Sequence, residues 1–251
     1  KEVGQNFLIN SDVANRIVDA LDIQEGDTVI EIGSGAGSLS FFLSNYPNEI
    51  TLIDIDEGLL TKTKEDFKDK PNMVFLQQNA LKTNYGTYTK IIGNLPYYIT
   101  SGIVEQIILT NLKCEKLIFM VQKEAGNRLM MKEGSEDVTP LSLLFNYVAK
   151  VKKLFSVSRD SFVPAPHVDS VVLEASFDLD LFNQETINAY KLCKDLFLNR
   201  RKTIFNNLKK VTGTGTKTEE ILNKAGISLN SRPEELSFEK FLNIYSLIEK
   251  K

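Results

Sequence analysis

Thr28-Val-Ile-Glu-Ile-Gly-Ser-Gly-Ala-Gly37 is the stretch that decides the architecture. Its first half, Thr28–Ile32, is almost wholly apolar and β-branched, which predicts a strand buried on both faces. Its second half places glycine at 33, 35 and 37, and a short helix is expected to follow through Leu43. A strand that turns through glycines into a helix opens a βαβ unit. Glycine there leaves no side chain between a ligand and the main chain or the helix N-terminus.

The alternation continues outward. Ile50–Asp54 reads as another buried strand, and Met73–Gln77, Lys90–Gly93 and Leu117–Val121 as further strands. Helices are expected over Glu57–Asp69, Ser101–Thr110 and Lys123–Met131. Upstream, Val13, Ile17, Val18 and Leu21 fall at helical spacing, with Ser11 or Asp12 as a cap. This pattern predicts an α/β fold, a Rossmann-like, mostly parallel sheet covered on both faces. After Leu141 a helix runs to Tyr147. Two β-rich runs follow, Lys150–Ser156 and Val168–Phe177, on either side of the proline-rich Phe162–Pro166. They are expected to form an antiparallel pair at one sheet edge. Beyond Asp178 only helical segments remain: Gln184–Leu198, Arg201–Val211, Lys217–Ala225 and Phe238–Glu249, with a break at Gly213-Thr-Gly215. A boundary near 178 is therefore expected, with a catalytic domain over 1–178 and a small all-α domain over 179–251.

The bulk numbers fit a globular protein. Of 251 residues, 42% are hydrophobic and 25% charged, and no apolar run is long enough to span a membrane. No signal peptide is visible, although the chain begins at Lys1 rather than Met and a trimmed or organellar leader stays compatible with it. Cys114 and Cys193 lack partners at metal-ligand spacing, and His167 is the one histidine. Two reduced thiols in a cytoplasmic compartment, and no metal site, are the expectation. The net charge of −3 weighs against a nucleic-acid partner. Between Lys191 and Lys210, however, Lys191, Lys194, Arg200, Arg201, Lys202, Lys209 and Lys210 face one acid, Asp195. A local basic face can hold phosphate on an acidic protein.

Asp54 closes the strand after the glycine turn, where an acid can hold two ribose hydroxyls. The GxGxG spacing differs from the dinucleotide GxGxxG, and no Gly-Lys-Ser/Thr of a P-loop follows. Glu31, just before the turn, would repel a pyrophosphate. It suits a nucleoside ligand that carries an ammonium group, as S-adenosylmethionine does.

Asn94-Leu-Pro-Tyr97 ends the fourth strand, where open α/β sheets bind ligands. The amino nitrogen of adenine is a poor nucleophile because its lone pair is drawn into the ring. Acceptors on its N–H bonds would direct that lone pair toward a sulfonium methyl. Asn94 offers a side-chain oxygen and Leu95 a carbonyl, and Pro96 restricts where that carbonyl points. Tyr97 can stack on the purine. No strong base is needed, and catalysis is mainly positioning.

With these segments in hand, the chain resembles the ribosomal RNA adenine dimethyltransferases of the KsgA type, a family that includes large-subunit relatives conferring macrolide resistance. Gly4-Gln-Asn-Phe-Leu8, Glu31-Ile-Gly-Ser-Gly35, Asn94-Leu-Pro-Tyr97, Gln122-Lys-Glu124 with Arg128, and Phe162-Val-Pro-Ala-Pro-His-Val-Asp-Ser170 are similar to its motifs. The resemblance implies S-adenosylmethionine as cofactor. Asn6 and Leu8 would contact it, Gly33 and Gly35 would lie under it, Asp54 would take the ribose and Asn79 would meet the adenine. Asn94 would be shared with the target, and Tyr97 and Phe162 would sandwich the flipped base. Lys123, Arg128, Arg200, Arg201 and Lys202 would face RNA. Phe197-Leu-Asn-Arg-Arg-Lys-Thr203 is similar to the small-subunit enzymes. The implied activity is dimethylation of two adjacent adenines near the 3′ end of small-subunit ribosomal RNA, by a monomer acting on the assembling subunit.

The chain departs from the family at Ser34 (commonly Pro), Asp54 (Glu), Asn79 (Asp), Tyr98 (Asn) and His167 (Lys). Three other readings use the same fold. One is the large-subunit methyltransferase of the macrolide-resistance type. Another is a non-enzymatic assembly or transcription factor, which the intact Asn94–Tyr97 segment disfavours. The third is a DNA adenine methyltransferase, disfavoured by the Arg200–Lys202 cluster and the Phe162 segment.

Overall fold

The computed structural model describes residues 6–96 and 98–249. They form two compact units, one of residues up to 127 together with 150–179, the other of 128–149 and 180–249.

The first unit is built on a seven-stranded sheet. Its parallel part comprises β2 (Val29–Ile32), β3 (Ile50–Asp54), β4 (Met73–Gln77), β5 (Lys90–Asn94) and β6 (Lys116–Gln122). With β7 (Ala149–Val157) and β9 (Ser170–Phe177), the order is β4-β3-β2-β5-β6-β9-β7. Every residue of β2 and β3 is buried, as a strand covered on both faces requires. β9 runs antiparallel to β6, with Gln122 opposite Ser170. Two strands of two residues each, β1 (Phe7–Leu8) and β8 (Phe162–Val163), pair antiparallel as a separate ribbon. The sequence reading had no sign of these two strands.

Helices α1 (Ser11–Leu21), α2 (Ser38–Leu43), α3 (Glu57–Asp66), α4 (Thr100–Thr110) and α5 (Lys123–Leu129) connect the strands. Asn10 caps α1 by accepting from the Val13 N–H at 3.1 Å, one residue ahead of the expected Ser11 or Asp12. Asp56 caps α3 by accepting from Gly58 and Leu59. Ile17, Leu21, Leu43, Ile50, Leu52 and Ile92 pack in the core between helices and sheet.

The second unit is helical: α6 (Pro140–Val148), α7 (Gln184–Phe197), α8 (Ile204–Thr212), α9 (Gly215–Lys224) and α10 (Phe238–Glu249). Here the expected boundary needs correction. The segment 128–149 belongs with the helices, because α6 packs against α7 and α10 and Tyr147 meets Phe238 at 5.0 Å. Asn146 ties the segment together, its amide donating to the carbonyls of Leu129, Met131 and Ser142. α8 starts three residues later than expected, since Thr203 serves as its cap. Gly213, at φ +80°, ends α8, and Thr214 caps α9.

Candidate active site

β2, β3 and β5 end side by side. β3 and β4 extend from β2 in one direction and β5 and β6 in the other, so the strand order reverses between β2 and β5. At such a switch point the connections diverge and leave a crevice. The crevice is here a cleft with about 260 Å³ of water-accessible space. Glu31, Gly33, Ser34 and Gly35 form its floor, Asp54 and Ile55 one wall, and Asn94, Leu95 and Pro96 the other. Asn6, Phe7 and Leu8 close one side, and Gln78, Asn79, Ala80 and Leu81 line the far end.

Two glycines are required by geometry. Gly35 has φ +51°, and its N–H donates to Asp54 Oδ2 at 2.9 Å. At Gly93 a Cβ would lie 2.7 Å from the Ile32 carbonyl oxygen, so no other residue fits where β5 passes β2. Asp54 also accepts from the Asp56 N–H through Oδ1 at 2.9 Å. This carboxylate therefore staples the glycine turn to the end of β3. Each oxygen keeps a further lone pair for a hydroxyl.

Glu31 is 1% exposed and receives one hydrogen bond, from Ser40 Oγ to Oε2 at 2.6 Å. Burial pushes its carboxyl up to about 8; the Ser40 hydroxyl opposes this and the charge of Asp54 adds to it. Among the described residues no cation pairs with Glu31. A buried acid without a positive partner lining a cleft is a feature suited to a cationic ligand.

The ribbon of β1 and β8 fixes the N-terminal segment at the mouth. Ser38 Oγ donates to the Leu8 carbonyl at 2.5 Å, and Asn94 Nδ2 approaches the Asn6 carbonyl at 3.4 Å. Asn94 is half-buried. Its neighbour Leu95 is buried and donates its N–H to Met120. The Pro96 carbonyl accepts from Ile99 N–H and Thr100 Oγ1, which forms a tight turn into α4. Asn79 accepts from the Leu81 N–H at 2.9 Å, so its side chain is held in a turn at the far end of the cleft.

Asn6, Leu8, Glu31, Gly33, Gly35, Asp54, Asn79, Asn94, Leu95 and Pro96 thus meet in one place. Tyr97 lies outside the described residues, as do Gly4 and Gln5 of the N-terminal segment. Phe162 does not line the cleft: it is 2% exposed, sits opposite Leu8 in the ribbon and packs in the core. The adjacent Val163 is 54% exposed instead, because successive side chains of a strand face opposite sides.

Lys123 is exposed at the start of α5, where its N–H donates to the Asp169 carbonyl. Two of the expected motifs are therefore joined through their main chains. In the second unit Arg128, Arg201 and Lys202 are exposed. Arg200 differs from them: its guanidinium donates to the Glu136 carbonyl at 2.6 Å and lies over the Phe197 ring. Arg201 and Lys202 occupy the turn before α8 rather than a helix face.

The sequence reading missed Ser40, Ser38, Phe7 and Ile55. Helical phase offered one signal: residue 40 lies inside a helix packed on β2, where a hydroxyl needs a partner. Among the described residues there is no cluster able to hold a metal ion, and no helix long and apolar enough to cross a membrane.

A doubly wound sheet with a glycine turn, a strand-end acid and an Asn-Leu-Pro turn at its switch point defines a Rossmann-like fold of the methyltransferase class. A dimethyladenosine transferase from Plasmodium falciparum superposes with a TM-score of 0.83 at 23% identity, covering 95% of each chain. The 23S rRNA methyltransferase ErmE superposes at 0.71 with 20% identity, over 98% of this chain and all of that one. These likenesses are of fold. In sequence, the ribosomal RNA small subunit methyltransferase A of Fusobacterium nucleatum is 35% identical over 99% of this chain and 97% of its own. That of Malacoplasma penetrans is 36% identical over 97% and 90%. The family model for ribosomal RNA adenine dimethylase matches residues 1–250, and the chain belongs to that family.

Proposed function

We propose that this chain dimethylates the N6 amino group of two adjacent adenines near the 3′ end of small-subunit ribosomal RNA, with S-adenosylmethionine as methyl donor. The observation that carries the cofactor reading is Glu31, buried on the cleft floor with no cation beside it. An ammonium-bearing nucleoside fits that charge, and Asp54 stands one strand away with lone pairs left for a ribose. When bound, the cofactor supplies a methyl group on a sulfonium. The chain's own part is to hold the acceptor nitrogen. Asn94 Oδ1 and the Leu95 carbonyl accept from the adenine amino group and direct its lone pair outward, while the turn at Pro96 fixes both. Such positioning can lower a barrier by several kcal/mol, on the order of 7–11 at best.

The small-subunit reading is supported by the names of the bacterial relatives and by the exposed Arg201–Lys202 turn. In this reading 1–179, without 128–149, carries the cofactor, the helical unit contacts the ribosomal particle, and the enzyme works as a monomer in the cytoplasm. Incubation with labelled S-adenosylmethionine and unmethylated small subunits, then mapping of the modified bases, tests it. Label on two adjacent adenines near the 3′ end is expected. Label only on naked large-subunit RNA, or none, would refute it.

A further inference from the structure

The glycine turn, Asp54 and Asn94 were all legible as parts of a ligand cleft. Ser40 was not, yet it makes the one hydrogen bond to the buried acid on the cleft floor. It is itself fully buried, in the middle of α2. Its hydroxyl has other options in a helix, above all the carbonyl four residues back. It points instead across to β2 and donates to Glu31 Oε2 at 2.6 Å, a short hydrogen bond.

The surroundings decide what this bond does. From β3, Asp54 acts on Glu31 as a second negative charge. From β5 the cleft receives Asn94, from α2 Ser38 and Ser40, from β1 and the residue before it Phe7, Leu8 and Asn6, and from the far end Gln78 and Asn79. All of these are uncharged. Nothing there offsets the charge of Glu31 except one hydroxyl dipole.

We propose that Ser40 is a positioning residue that acts through Glu31: its hydroxyl keeps the carboxylate ionisable and oriented at the cleft floor, so that the cleft gives up a proton from Glu31 for the cation it takes in. The inference rests on the cofactor reading above. The exchange balances: the O–H bond of the Glu31 carboxyl breaks, the proton passes to buffer, and the carboxylate left behind faces the incoming ammonium. With the carboxyl pushed up to about 8 by burial, most of a proton should leave per cation bound at pH 7. Without the Ser40 hydroxyl the proton is held more tightly, because a donor favours the charged form.

Calorimetric titration of the full chain with S-adenosylmethionine, in buffers of different ionisation enthalpy between pH 6.5 and 9, counts that proton. The unaltered chain is expected to release it and to bind more tightly as pH rises toward 8. Ser40→Ala should weaken binding at pH 7 by about ten-fold or more. It should carry the rise in affinity to higher pH, and raise KM for the cofactor far more than it lowers kcat. Glu31→Gln should release no proton, and its affinity should lack the rise toward pH 8 seen in the unaltered chain. In the Glu31→Gln background, Ser40→Ala should then add little. Equal affinity and equal proton count in Ser40→Ala and the unaltered chain would overturn the role of Ser40 while leaving the cofactor reading intact. Proton release that persists in Glu31→Gln would overturn it as well. Failure of the unaltered chain to bind S-adenosylmethionine at all would overturn the cofactor reading, and this inference with it.

Discussion

Replacing Glu31 with Gln should make the ligand-free protein more stable and a poorer enzyme. The ordinary glutamate carboxyl titrates near 4.5; in the fold it is pushed up to about 8. A group raised in this way contributes its full stability below its unfolded value. That contribution is lost as pH rises, because the unfolded chain ionises first and the folded chain must then follow. Each unit of difference corresponds to about 1.4 kcal/mol. The cost of Glu31 is therefore under about 1 kcal/mol at pH 5, about 3 at pH 7 and about 4 at pH 8. Gln has the same shape, can still pair with the Ser40 hydroxyl, and does not titrate. For a domain of this size 1 kcal/mol moves Tm by roughly 2–4 °C. Thermal melts of the ligand-free proteins should thus separate by roughly 10 °C at pH 8 and nearly coincide at pH 5. Added S-adenosylmethionine should close the gap at pH 8, since it stabilises the ionised acid and has less to gain from the amide. A gap that stays the same from pH 5 to 8, or its absence at pH 8, would show that Glu31 is not a buried acid carrying an unmet charge. The stability gained should come with a higher KM, the usual exchange where a binding site stores strain.

Three further outcomes are expected. Asn94→Ala should lower methyl transfer by about a hundred-fold or more while the melting curve stays close to that of the unaltered chain, because among the described residues the half-buried amide donates one long hydrogen bond, 3.4 Å to the Asn6 carbonyl; near-normal turnover would remove Asn94 from the chemistry. Arg201→Glu with Lys202→Glu should weaken binding to small subunits and flatten its salt dependence without lowering Tm, whereas Arg200→Ala should lower stability by about 1 kcal/mol and Tm by roughly 2–4 °C, since it loses its bond to the Glu136 carbonyl. Equal effects of the two changes on Tm would contradict this division. Asn79→Asp should lower KM for S-adenosylmethionine by about three- to ten-fold, because the carboxylate keeps the Leu81 N–H and offers a charged acceptor at the cleft end; an unchanged KM would place the adenine elsewhere.

The sheet was legible because its strands are continuous apolar runs, and burial on both faces leaves such runs no other place. Ile50–Asp54 has the expected ends for that reason, and Met73–Gln77 keeps them as well although, at the sheet edge, only Met73 is buried. The ribbon was not legible. Two residues per strand carry no periodicity, and what defines Phe7–Leu8 is a partner more than 150 positions away. The placement of 128–149 was hidden for a related reason. The apolar spacing of α6 says that it must pack, and only the fold says that α7 and α10 supply the surface. Arg200 was read as one of a basic trio, because composition cannot tell a guanidinium facing solvent from one holding a carbonyl.

Three of the five departures from the family pattern share a location. Ser34, Asp54 and Asn79 all line the cleft on the side of β2, β3 and β4, where a cofactor would lie, whereas Asn94, Leu95 and Pro96 keep the family's form. Asp54 loses a methylene of reach, yet both its oxygens already hold backbone N–H groups, so the glycine turn stays fixed and only the hydroxyls of a ribose would feel the shortening. Asn79 loses a charge but keeps its turn. Ser34 adds a buried hydroxyl that has no partner among the described residues, at a cost of about 1–3 kcal/mol. These three changes act on the grip of the cleft; Tyr98, which lines the cleft two residues after Pro96 and is exposed, and His167, which does not line it, leave Asn94, Leu95 and Pro96 themselves in place. Relative to its family, this chain should therefore differ in KM for the cofactor and much less in the rate of methyl transfer once the cleft is filled.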